Sequence, residues 1–170
     1  MATLDYFQKR VQSRTVPTTA EFEHMLRATD LRVTRARLAV LNAVYDHPHA
    51  DTSLISNIVH EDLGHVSHQT VYNVLEALTG AGLVRHIQPP GSVSRYESRV
   101  GDNHHHMVCR SCGSIADVDC SVGTAPCMTA SDDHGYAIDE CEVVYRGLCP
   151  ECLSATASDQ APQTRKVSRV

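Results

Sequence analysis

Two Cys-x-x-Cys pairs, Cys109 with Cys112 and Cys149 with Cys152, carry the clearest chemical signal in this chain. Together they offer four thiolates, the donor set of a tetrahedral structural Zn(2+) site. The 36 residues between the pairs exceed the spacing of a simple zinc ribbon, so intervening strands must bring the two knuckles together. The same motif is shared by two independent redox dithiols and by a rubredoxin-like iron site. Redox dithiols sit at a helix N-terminus in a βαβ context, which neither knuckle shows in sequence, and zinc is therefore the reading adopted. Bound at both ends of a small sheet, zinc contributes on the order of 10–16 kcal/mol to folding, as in zinc-finger peptides.

Just ahead of the first knuckle stands HHHMVC, residues His104 to Cys109. Side chains alternate along a strand, so His104 and His106 share one face while His105, Met107 and Cys109 share the other. A metal held by Cys109 is then not the natural target of His104 and His106, and two sites are predicted. Three residues could complete the second: Glu97 on the preceding strand, Asp117 on the following one, and His49 in the HPHAD turn. Nitrogen and carboxylate donors without thiolate suit Fe(2+), Mn(2+) or Zn(2+) in an open site. Cys120, Cys127 and Cys141 remain over; they read as small buried hydrophobes, with a thiol switch as the alternative.

The elements that must position these groups follow from the rest of the chain. Its 170 residues make one domain or two small ones, with no Trp and only two Phe, so any core is built mainly from Leu, Val, Ile and Ala. No apolar window approaches a membrane span, and the start lacks a secretory signal. Seven cysteines are an odd number for a disulfide framework, and a cytoplasmic chain without membrane contact is expected. The net charge of −5 divides into −1 for residues 1–97, −6 for 98–153 and +2 for 154–170. Bulk charge therefore gives no support for nucleic-acid binding, which would need a local patch.

Residues 1–18 read as an arm, in which Leu4, Phe7 and Val11 could share a face. Thr18 with Glu21 forms a capping box ahead of a first helix, and Thr34 caps a second in which Leu38, Leu41 and Tyr45 recur. A third helix ends at Gly64, and Ser67 caps a fourth. Val71, Val74, Leu75 and Leu78 fall on one face of that fourth helix, with Gln69, Tyr72, Asn73 and Glu76 on the other. LVRHIQ and VSRYES then read as a hairpin about PPGS. This order predicts an α+β protein with a winged helix-turn-helix over residues 19–97. Past the hinge SRVGDN, a small α/β domain is expected over 98–153, built from a strand, a knuckle, a second strand, a short helical stretch and a closing knuckle. Residues 154–170 have the composition of a disordered tail. Gln and Asn can pair with adenine, and Tyr can reach a phosphate or a thymine methyl. Arg32, Arg35 and Arg37, with Arg85 and Arg95 in the hairpin, supply local positive charge.

HPHAD, S-x-x-TVYNVL-x-x-L-x-x-x-GLV, RYE, HHHMVC-x-x-C and C-x-x-C, in this order over residues 19–153, resemble the ferric uptake regulator (Fur) superfamily. The resemblance is closest to actinobacterial FurA-type regulators of catalase-peroxidase and, more broadly, to the peroxide-sensing PerR branch. It implies a homodimeric, metal-responsive repressor that binds a palindromic operator in double-stranded DNA. Carried over by residue, it implies a regulatory site of His49, Glu97, His104, His106 and Asp117 for Fe(2+) or Mn(2+), and structural zinc on Cys109, Cys112, Cys149 and Cys152. Arg32, Gln69, Tyr72 and Asn73 fall to DNA binding. Asn73 and Asp117 match peroxide sensors, whereas Glu97 departs from the aspartate usual there. A further metal site is known in some members, but Asn103 and Thr124 stand where its ligands are expected. Two other readings stay open: a sensor of iron, manganese or zinc level, and a thiol-disulfide oxidoreductase.

Overall fold

The computed structural model describes residues 16–89, 91–102, 104–119, 130–138 and 141–159. The chain divides into two compact units between Gly101 and Asp102, inside SRVGDN and a few residues beyond Glu97. The expected face of Leu4, Phe7 and Val11 lies outside the described residues, as do Cys120, Cys127, Asn103, Thr124 and the short helical stretch expected after the second strand of the second domain.

In the first unit each helix starts where a side chain can satisfy an orphan N–H. Thr18 and Glu21 form the reciprocal capping box of α1 (Thr19–Ala28), and Thr34 caps α2 (Arg35–Asp46). Asp51 of the short strand β1 (Ala50–Asp51) caps α3 (Thr52–Leu63), its Oδ1 accepting from Leu54 N at 2.8 Å. Ser67 caps α4 (His68–Gly80), its Oγ accepting from Thr70 N at 3.1 Å. Gly64 stops α3 with φ +75°, a conformation that costs an L side chain but not glycine.

Val71, Val74, Leu75 and Leu78 are the buried face of α4, as the periodicity predicts. On α2 the buried set is Ala39, Val40, Leu41, Ala43 and Val44, while Leu38 and Tyr45 are only partly buried. The expected Leu38–Leu41–Tyr45 stripe is thus displaced because α2 is the central helix, packed against α1, α3 and α4 together. Phe22 of α1 meets Tyr45 edge-to-face at 5.1 Å, closing the outer side of this core.

The hairpin of β2 (Arg85–Ile87) and β3 (Arg95–Glu97) forms as predicted, but it gains a third strand. β1, read in sequence as part of a turn, pairs antiparallel with β3, giving the order β1-β3-β2 with Ala50 opposite Tyr96. Helices α2 to α4 followed by this small sheet are a winged helix-turn-helix.

The second unit is a three-stranded sheet of order β5-β4-β6. β4 (His104–Cys109) runs antiparallel to β5 (Ile115–Asp119) and parallel to β6 (Val144–Gly147). Among its described residues only Val108 and Cys109 are buried apolar side chains. Residues 154–159, read in sequence as part of a tail, belong to α5, which runs from Pro150 to Asp159, and residues 160–170 lie outside the described residues. Proline at the first helical position and Glu151 beside it suit a helix start, and the Ser154 and Thr156 hydroxyls bond back to Pro150 O and Cys152 O. No described helix is long and apolar enough to cross a membrane.

The two faces of α4 carry unequal loads. Leu75→Ala, at a fully buried position, is expected to cost about 3 kcal/mol, and Tyr72→Ala, on the exposed face, less than about 0.5 kcal/mol. Urea unfolding followed by circular dichroism measures both.

Candidate metal centres and the outer face of helix four

The two knuckles converge. Cys109 ends β4, Cys112 lies in the turn to β5, and Cys149 and Cys152 bracket the start of α5. The parallel register of β4 and β6, with Cys109 opposite Gly147, carries the second knuckle alongside the first. All four sulfurs lie within 4.8 Å of one another, and Cys112 Sγ is 3.7 Å from Cys149 Sγ. Zinc–sulfur bonds of 2.3 Å in a tetrahedron place sulfurs roughly 3.8 Å apart, so the tetrad fits a zinc ion with little contraction. This single cluster is not the arrangement of two independent redox pairs. Contrary to the sequence expectation, the second knuckle does sit at a helix N-terminus, since α5 begins at Pro150.

Backbone donors already favour negative charge here. The Cys112 N–H, then the Cys149 N–H at 3.3 Å, bring the Cys109 thiol down to about 6. The Ser114 hydroxyl, 3.3 Å from Cys112 Sγ, and then the Ser114 N–H lower Cys112 as well. At Cys152 the Ser111 hydroxyl pulls down, but the neighbouring Cys149 and Cys112 sulfurs together push it up to about 12. Four thiolates cannot be adjacent without a cation among them, and a bound dication removes that conflict.

The histidine and carboxylate residues form a half-set in each unit. In the first, His49 stands just before β1 with φ +62°, a left-handed conformation uncommon for a non-glycine residue. Arg95 Nη1 donates to its carbonyl at 3.2 Å, and His49 Nε2 lies 3.1 Å from Glu97 Oε2. Glu97 is buried, with Arg85 Nε 4.0 Å from its other oxygen. Burying a carboxylate is costly unless cations and donors face it, which His49 and Arg85 do. Arg85 and Arg95, expected to supply hairpin charge for DNA, are thereby committed to this half-set.

In the second unit His104 and His106 share one face of β4, as the alternation predicts, with rings edge-to-face at 4.9 Å. Asp117 is the cross-strand partner of His106, its Oδ1 3.9 Å from His106 Nε2. His104 Nδ1 lies 2.8 Å from Asp102 Oδ1, a contact that orients the ring. Asp102 was not singled out from sequence; the signal was a carboxylate two residues before the histidine.

The outer face of α4 presents Gln69, Tyr72, Asn73 and Glu76 to an open groove of about 700 Å³ that Thr79, Gly80, His86 and Tyr96 complete. Arg32 is exposed in the connection ahead of α2 and does not line that groove. His86 and Tyr96 were missed in sequence, although strand alternation turns His86 away from Arg85 and Ile87.

A winged helix joined to a second unit with a four-cysteine centre, and histidine and carboxylate half-sets in both, defines a metal-binding regulator of DNA-binding architecture. The chain belongs to the ferric uptake regulator family, whose profile matches residues 28–146. It is 63% identical over 142 residues to the transcriptional regulator FurA of Mycobacterium tuberculosis, covering 84% of this chain and 97% of that protein. The peroxide-responsive repressor PerR of Staphylococcus aureus is more distant, at 27% over 128 residues, 75% of this chain and 86% of that one. The ferric uptake regulator Fur of Helicobacter pylori shares the fold with a TM-score of 0.62 at 16% identity, over 83% of this chain and 97% of that one. The protein is a metal-dependent transcriptional regulator.

With the Cys152 thiol at about 12, the metal-free tetrad holds a proton there at pH 7 that zinc must displace. Zinc binding to stripped protein is therefore expected to release protons at pH 7, and affinity to fall as pH drops toward the Cys109 value near 6. Calorimetry in buffers of different ionisation enthalpy counts the protons.

Proposed function

We propose that the chain is a homodimeric repressor that binds a palindromic operator in double-stranded DNA when metal is loaded, and that it releases the operator when peroxide damages a metal ligand. The observation that carries this reading is the pair of complementary half-sets: His49 with Glu97 before and on the wing, and His106 opposite Asp117, with the His104 ring beside it, in the second unit. His49 with Glu97 supplies only two donors, and joined with the second half-set the donors become two carboxylates and three imidazoles. A metal ligated by both would tie the winged helix to the second unit and set the spacing of two winged helices on the operator. Cys109, Cys112, Cys149 and Cys152 would hold structural Zn(2+), keeping the sheet closed through each cycle of regulatory metal binding and loss.

Fe(2+) at the regulatory site would supply the redox chemistry that cleaves hydrogen peroxide, and Mn(2+) would support repression without it. The chain contributes the oxidisable group: His49 or His104 gains one oxygen and ceases to be a ligand. Asn73 and Asp117 support peroxide sensing over metal-level sensing. A second copy of the chain has a candidate seat on the sheet, where exposed Met107 and Tyr145 stand opposite each other on β4 and β6. A cytoplasmic location accords with free thiols and with a DNA target. Sensing of iron, manganese or zinc level is the second reading, favoured by the mixed nitrogen and oxygen donor set, which does not discriminate among these metals.

Zinc-containing protein is reloaded with Fe(2+) or Mn(2+), exposed to dilute peroxide, and digested for mass spectrometry. One oxygen on His49 or His104 in the iron form alone is expected; unmodified histidines in both forms would favour metal-level sensing. His104→Ala is expected to retain zinc and fold but lose metal-dependent operator binding by 10-fold or more, roughly the cost of a metal ligand's support, read by fluorescence anisotropy. Unchanged affinity would remove His104 from the site.

A further inference from the structure

Gln69 and Asn73 stand one helical turn apart on the exposed face of α4, and they are bonded to each other: Gln69 Nε2 donates to Asn73 Oδ1 at 2.8 Å. A side-chain amide carries two N–H donors and one carbonyl acceptor. The bond uses one donor of Gln69 and turns its nitrogen along the helix toward Asn73. What Gln69 still offers is one N–H beside its free Oε1. On Asn73 the carbonyl is engaged and the two N–H donors remain.

One donor beside one acceptor complements the major-groove edge of adenine, which accepts at N7 and donates from N6. Guanine offers two acceptors there, N7 and O6, and asks for two donors. An isolated glutamine can turn its amide over and serve either base. As bonded here, the Asn73 carbonyl accepts from the nitrogen end of Gln69 and opposes that turn-over, which would require both amides to reverse together. The surroundings suit the task. Gln69 lies in the first turn of α4, the part of a recognition helix that approaches base edges. That turn is fixed by Ser67, whose Oγ accepts from Thr70 N at 3.1 Å and lies 2.9 Å from Thr70 Oγ1. Both amides line the open groove between α4 and the hairpin, with Glu76 one turn further along.

We infer that Gln69 and Asn73 read DNA as one unit, in which Asn73 is a positioning residue that sets the Gln69 amide for an adenine in the major groove. The inference rests on the DNA-binding reading above and adds to it the base and the division of labour between the two amides.

Metal-loaded full-length protein is used to select duplexes from a library randomised across a two-fold palindrome, and Kd is then measured for all four base pairs at each selected position. Gln69→Ala identifies the base pair that Gln69 reads. Wild-type protein is expected to prefer adenine over guanine there by about 10-fold or more, the discrimination of a good bidentate contact. Asn73→Ala should flatten the preference at that same base pair, and the double variant should flatten it no further than Gln69→Ala alone. Asn73→Asp keeps an acceptor for Gln69, so it should weaken binding to every duplex alike while the adenine preference survives. Both side chains are exposed, so thermal unfolding of the variants is expected to match wild type. A preference for guanine, meaning the pair is bonded in the opposite sense, overturns the inference, as does an adenine preference untouched by Asn73→Ala. Failure of wild-type protein to bind any duplex would instead overturn the DNA-binding reading on which the pair rests.

Discussion

A sheet of three short strands with two buried apolar side chains among its described residues cannot be held by the hydrophobic effect alone. Everything in the second unit depends on gathering four cysteine sulfurs where β4 ends and α5 begins. At roughly 25 cal/mol per Å² of apolar surface, so small a core contributes a few kcal/mol, against about 1–2 kcal/mol of backbone entropy for each ordered residue. A metal clip is the physical answer available to a domain of this size. The preparation is visible in the chain itself: N–H groups of Cys112 and Cys149 face the Cys109 sulfur, and the Ser114 hydroxyl faces Cys112.

Strand register is what makes the remaining chemistry possible. The three consecutive histidines of β4 divide between two faces because the side-chain period of a strand is two, and pairing with β5 sets Asp117 opposite His106. A one-residue slip would set His105 or Met107 opposite Asp117 and separate that carboxylate from the His106 imidazole. In the first unit the same principle acts through β1, whose pairing with β3 fixes the backbone beside His49 and holds its ring against Glu97. The positive φ of His49 is the local cost of that turn, and Arg95 offsets it by holding the carbonyl.

Charge in the wing follows from these commitments. Counting residues assigns Arg85 and Arg95 to a hairpin that faces phosphate, but Arg85 lies beside the buried Glu97 carboxylate, which would be costly without a cation, and Arg95 donates to the His49 carbonyl. The groove is left with two amides, two tyrosines, a threonine, a histidine and Glu76.

Periodicity, caps and donor types determined by themselves the four helices of the first unit, the caps of three of them at Thr18, Thr34 and Ser67, the buried face of α4, the alternation of His104 and His106, and the four-cysteine donor set. These are local properties: a cap is satisfied within three residues, and a face is fixed by 3.6 or 2 residues per turn. The tertiary structure decided what depends on more distant partners. It drew β1 out of a turn, because β3 had an open edge to pair with. It rotated the buried face of α2, because three helices pack around it. It carried α5 through residues with the composition of a tail, from a proline suited to a helix start. It also brought the knuckles together across 36 residues and set Arg85 beside the buried Glu97, since the cost of an unpaired buried charge is set by neighbours that only the fold supplies.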